Sequence, residues 1–132
     1  MMRVAKARLI KAALEAADNA YCPFSSFHVG AAVLVPGGQI YTGCNIENAS
    51  YGLTVCAERT AIFKAISDGN RKIRAIAVAC PDADSEAPAG YRMPCGACRQ
   101  VMAEFLTPNG IVIVEGVGEF SLEGLLPSPF KL

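Results

Sequence analysis

The 132-residue sequence has a single histidine, no net charge and no apolar run long enough to cross a bilayer. Each lack removes a class of function. Twelve basic residues balance twelve acidic ones, so no excess positive potential favours a phosphate backbone or an anionic membrane surface. Neither nucleic acid nor membrane is expected as a partner, and a small neutral substrate fits better. Residues 19–46 contain no Asp, Glu, Lys or Arg, but Pro23, Pro36, Gly37 and Gly38 interrupt them, and the purely apolar piece is confined to 29–35. A spanning helix needs about 20 such residues, so this piece reads as a buried strand followed by a turn. No export signal is visible, because Arg3, Lys6, Arg8 and Lys11 are mixed with apolar residues and run into Glu15 and Asp18. The six cysteines are therefore expected to stay reduced, in the cytoplasm, rather than to form a disulfide framework.

The length suits one domain, 1–132, with a core of its own. Residues 3–19 carry Ile10, Ala13, Leu14 and Ala17 at helical spacing. Strands at 27–35 and 39–44 flank Pro36-Gly37-Gly38 and predict a hairpin. An irregular polar loop, 45–55, follows. Thr54 is placed to cap a helix running to about residue 68, with Cys56 in its first turn and Gly69 just past its end. A strand at 73–80 leads into a loop at 81–93 rich in Pro, Asp, Ala and Gly. Pro94 is expected to open a helix over 95–106, with short strands at 111–114 and 117–122 and a last helical turn over 122–126. Crossover helices between strands make this an α/β chain, three layers deep, with a central mixed five-stranded sheet covered on both faces.

Two short segments carry the chemistry. Cys56-Ala57-Glu58 and Pro94-Cys95-Gly96-Ala97-Cys98 supply three thiolates and one carboxylate. Three protein ligands leave a tetrahedral zinc ion with a fourth position for water, the arrangement of a catalytic site. A carboxylate two positions after a ligand can sit beside that water without ligating and move its proton. Cys56 and Cys95 fall at helix starts, where unpaired N–H groups favour thiolate over thiol. A structural zinc knot is the competing reading, with Cys22, Cys44, Cys80 or His28 as a fourth ligand.

The chain resembles the small, homotetrameric, zinc-dependent cytidine deaminases. Besides the metal segments, YCPFSSFHVGAA (21–32), GCNIENASY (43–51), CAERTA (56–61), PCGACRQV (94–101) and LLPSPF (125–130) are similar to family segments, in order and over nearly the whole chain. The resemblance implies hydrolytic deamination of cytidine and deoxycytidine, in pyrimidine salvage. One Zn²⁺ per chain would be held by Cys56, Cys95 and Cys98, with Glu58 shuttling protons. It further implies that Phe27 packs on the base beside Val29, that Ala57 N–H meets the base carbonyl, and that Asn45 and Glu47 hold the ribose hydroxyls. Tyr51 and Phe130 match residues that reach the pocket of a neighbouring subunit in a homotetramer. Arg59 matches a residue that offsets the net negative charge of a tris-thiolate zinc site, with Arg99 as a second candidate.

Two features depart from the resemblance. His28 stands where small members often carry another residue, and is expected to pack or to stand partly exposed. The loop 81–93 is longer than in compact relatives. Cys22, Cys44 and Cys80 lie outside ligand spacing and are expected to pack as small hydrophobes. The readings still open are a deaminase of another aminated heterocycle, a polynucleotide editor, and a noncatalytic module built on structural zinc.

Overall fold

The computed structural model describes residues 3–132. The elements run α1 (Arg3–Ala17), β1 (Gly30–Leu34), β2 (Ile40–Cys44), α2 (Ala57–Ser67), β3 (Ile73–Ala79), α3 (Gly96–Phe105), β4 (Leu106–Val114), β5 (Gly118–Ser121) and α4 (Leu122–Leu125). Short 3₁₀ turns at Tyr51–Leu53 and Ala89–Tyr91 punctuate the loops. The sheet order is β2-β1-β3-β4-β5. β3 and β4 pair in parallel across the α3 connection, and the other neighbours are antiparallel, so the expected mixed five-stranded sheet is present.

All five β1 residues are buried because both faces of the sheet are covered. This explains the continuous apolar run where a half-exposed strand would alternate. Ala32 and Leu34 face α1 with Leu9 and Ala13. Ala31 and Val33 face α2 and α3 with Ala61, Ile62 and Met102. Two glycines let the helices approach the sheet. A Cβ at Gly30 would lie 1.8 Å from the Ala13 carbonyl oxygen, and one at Gly43 would lie 2.4 Å from the Ala61 backbone nitrogen.

Several boundaries differ from the sequence expectations, each for a physical reason. Residues 27–29 are not part of β1. Most of their backbone groups bond side chains: Asn45 accepts from Val29 N–H at 2.9 Å and donates to the Phe27 carbonyl at 2.8 Å. Thr54 does not cap α2, because its hydroxyl accepts from Asn48 N–H at 3.1 Å and the next residue, Val55, bridges Ile46. Cys56 is the N-cap instead, with extended backbone. Likewise Pro94 lies outside α3, whose N-cap is Cys95. β4 begins earlier than expected, since Leu106 pairs with Ile73 before an irregularity shifts the register.

Candidate active site

The first turns of α2 and α3 meet on one face of the sheet and bring the two motifs together. The sulfurs of Cys56, Cys95 and Cys98 all lie within 4.8 Å of one another. Cys56 to Cys95 is 3.9 Å and Cys95 to Cys98 is 3.4 Å. Four-coordinate zinc with Zn–S bonds of about 2.3 Å separates its sulfurs by roughly 3.8 Å. The spacing and the soft thiolate donors therefore suit zinc. Neither helix has a side-chain cap, so the positive ends of both face the sulfurs.

The electrostatics around the cluster are arranged for a thiolate set. Hydrogen bonding from Cys98, then from Arg59, brings the Cys56 thiol down to about 5, against the resistance of burial. The same pairing, with burial, pushes Cys98 up, so the sulfurs do not ionise alike. Arg59 donates through Nη2 to Cys56 Sγ at 3.4 Å. Its Nε–H is buried without a hydrogen-bond partner, which is uncommon for a buried donor. Arg99 takes no part, since it donates to the Pro94 and Leu125 carbonyls at 2.8 and 2.7 Å. Of the two candidate arginines, Arg59 is the one at the cluster.

Glu58, only 4% exposed, borders the same 210 Å³ cavity as Cys56, Ala57 and Cys95. Burial pushes its carboxyl up to about 7, and the neighbouring Cys56 thiolate adds to the rise. Phe27, Val29 and Asn45 line this cavity too. Ala57 opens α2, so its N–H is one of the helix's unsatisfied donors. Asn45 is buried and already engaged with residues 27–29, leaving its amide one proton and one acceptor position.

Glu47 lies outside that cavity. It lines an adjoining one of 320 Å³ with Phe24, Ser25 and Tyr51, and Thr54 borders both. Its carboxylate accepts from the Ser25 hydroxyl, from Phe24 N–H at 3.0 Å and from Ser25 N–H at 3.1 Å. The Ser25 hydroxyl is the main reason its pKa is lowered. Tyr51 stacks edge-on against Phe24, centroids 6.3 Å apart, and is 78% exposed. Phe130, 72% exposed, lies beside Gln100 and Glu104, in neither of these cavities.

Thr54, Val78, Cys80, Tyr91, Arg92 and Met93 complete the wall around Glu58, and none was singled out for it from the sequence. The last three end the loop 81–93, which leads into the second cysteine motif. Cys80 is buried, which pushes its thiol up to about 11 and leaves it inert at neutral pH. Cys22 is buried as well, and Cys44 is half-buried.

A family model described as the cytidine and deoxycytidylate deaminase zinc-binding region matches residues 4–114. The chain belongs to this family. It is 51% identical to a cytidine deaminase of Halalkalibacterium halodurans over 92% of this chain and 91% of the relative. A Sporosarcina psychrophila cytidine deaminase is 49% identical over 94% and 90% of the two chains. Among solved structures, the cytidine deaminase of Burkholderia pseudomallei superposes with a TM-score of 0.84 at 43% identity, covering 98% of this chain and 100% of that one. The structure of the Mycobacterium tuberculosis cytidine deaminase gives 0.82 at 39% identity, over 96% and 98%.

Proposed function

We propose that this chain is a zinc-dependent hydrolase that converts cytidine and deoxycytidine to uridine and deoxyuridine with release of ammonia. The observation that carries the reading is the buried carboxyl of Glu58 on the wall of a cavity that Cys56 and Cys95 also line. Cys56, Cys95 and Cys98 would hold Zn²⁺, which when bound would supply Lewis acidity to activate a water. Glu58 takes a proton from the attacking water and delivers it to N3 of the base as oxygen adds at C4. A second transfer through Glu58 protonates the exocyclic nitrogen, which leaves as ammonia while C4 becomes a carbonyl. A carboxyl near neutrality both accepts and returns a proton at physiological pH. Arg59 balances the thiolate charge from the sulfur side.

Phe27 packs on the base beside Val29, and Ala57 N–H donates to its carbonyl oxygen. The ribose extends past Thr54, which borders both cavities, and its hydroxyls meet Asn45 in the first and Glu47 in the second. Tyr51 and Phe130 complete the pocket of a neighbouring subunit in a homotetramer. Support for assembly comes from their exposure and from exposed Ile46, Leu53 and Phe63. The single domain 1–132 carries the reaction. The six cysteines are unpaired, in keeping with a reducing cytoplasm and a salvage role there. Among the described residues no helix is long and apolar enough to cross a membrane.

The test follows loss of ultraviolet absorbance with cytidine, deoxycytidine and cytosine in parallel on zinc-loaded protein. Turnover confined to the two nucleosides is expected. Preference for cytosine would replace the nucleoside reading with one of a free base.

A further inference from the structure

The cavity around Glu58 has two walls from distant parts of the chain. Phe27 and Val29 precede β1, and Tyr91 and Met93 end the long loop 81–93. Asp82, near the start of that loop, reaches the first wall. Its Oδ2 accepts from His28 N–H at 2.7 Å and from His28 Nδ1 at 2.6 Å. An ionised carboxylate only accepts, so Nδ1 carries the proton. From the other edge, Asn45 holds the carbonyl of Phe27 and the N–H of Val29. Ser25 Oγ accepts from Phe27 N–H at 3.0 Å, and the Asn45 backbone N–H reaches the Val29 carbonyl at 3.3 Å, so the three residues are held mainly by side chains, with Asp82 alone holding His28. The far end of the loop is also fixed, because Arg92 donates to the Ala83 carbonyl at 3.1 Å and the Glu115 carbonyl at 3.3 Å.

We infer that Asp82 is a positioning residue for base recognition, fixing the 27–29 wall through His28 at the spacing set by the loop 81–93. The inference deepens the nucleoside deaminase reading and rests on it. Asp82 lies outside the cavity that holds Glu58, and the sulfurs and Glu58 are carried by the first turns of α2 and α3. Loosening the wall should therefore weaken substrate capture and blur discrimination at the base edge, while proton transfer persists. A merely structural role would reduce folded protein and leave the KM of what remains unchanged.

The experiment measures kcat and KM for cytidine and 5-methylcytidine on zinc-loaded wild type, Asp82→Ala, Asp82→Asn and His28→Ala. Hydrogen bonds to a carboxylate at a half-exposed site predict about a tenfold rise in cytidine KM for Asp82→Ala, with kcat changed less than about threefold. Preference for cytidine over the methylated base should shrink in parallel. Asp82→Asn retains a neutral acceptor for His28 N–H, and His28→Ala retains the backbone bond alone, so both should fall between wild type and Asp82→Ala. A cytidine KM within about twofold of wild type for Asp82→Ala, or a kcat loss at unchanged KM, overturns the inference. Should the alanine variant not fold, the other two decide: raised KM in both supports the clamp, and wild-type KM in both overturns it. Absence of cytidine turnover in the wild type itself would overturn the nucleoside reading, and this inference with it, before any variant is compared.

Discussion

The two faces of the sheet solve the same packing problem and carry different burdens. On one face α1 lays Leu9, Ala13 and Ala17 over a floor that includes Ala32, Ala75, Ala77 and Ala79. On the other, α2 and α3 bury Ile62 and Met102 and also present Cys56, Cys95, Cys98 and Glu58. Glu58 is the one buried charged side chain among the described residues. Both faces depend on a glycine for close approach. Only the second begins two helices with uncapped cysteines, forgoing caps worth about 0.5–2 kcal/mol each. Close packing is thus the general device, and the chemistry sits where local stability has been surrendered to keep helix N-termini and thiolates together.

The contrast breaks most sharply at the metal. Cys98→Ser should lower zinc well below one ion per chain by elemental analysis and reduce turnover to background. A fully metallated, active variant would remove Cys98 from the ligand set. Removing charge compensation comes next: Arg59→Gln should cost about 10- to 100-fold in zinc affinity or turnover, measured by chelator competition and initial rates. The glycines then compare the two faces directly. Gly30→Ala and Gly43→Ala should each destabilise by about 1–3 kcal/mol in denaturant unfolding. Only Gly43→Ala displaces the helix bearing Glu58, so kcat per bound zinc should fall in that variant alone. Equal kcat in both would show that α2 tolerates the shift.

The smallest effect on stability is expected at Asp82, whose pKa is lowered from the ordinary 3.8 by the His28 backbone N–H and then by the His28 ring. A depressed folded-state pKa contributes stability above 3.8 that is lost as pH falls through the lower folded value. The melting temperature of wild type should exceed that of Asp82→Asn slightly at neutral pH, and the gap should close as the solution is acidified below 3.8. The pair is half-exposed, so a small gap is expected.

What could be read from the sequence divides along a related line. Cys56, Glu58, Cys95 and Cys98 are legible because each motif is a few residues long and sits at a helix start, and the run 29–35 marks a doubly covered strand. The substrate-facing wall is much less so. Asn45 reaches back across 16 residues to Val29 N–H, Glu47 across 22 to Ser25 N–H, and Asp82 across 54 to His28 N–H. No periodicity records such side-chain-to-backbone bonds. Thr54 shows the hazard: its type and place suit a helix cap, but Asn48 N–H takes the hydroxyl and the cap position passes to Cys56.

The account turns on Glu58, and the most direct measurement is cytidine turnover by Glu58→Gln with zinc content determined on the same sample. Glutamine preserves shape and removes the titrating proton, so zinc should remain at one per chain while kcat falls by about a hundredfold or more. A zinc-loaded glutamine variant that keeps more than about a hundredth of wild-type kcat would contradict proton shuttling by this carboxylate.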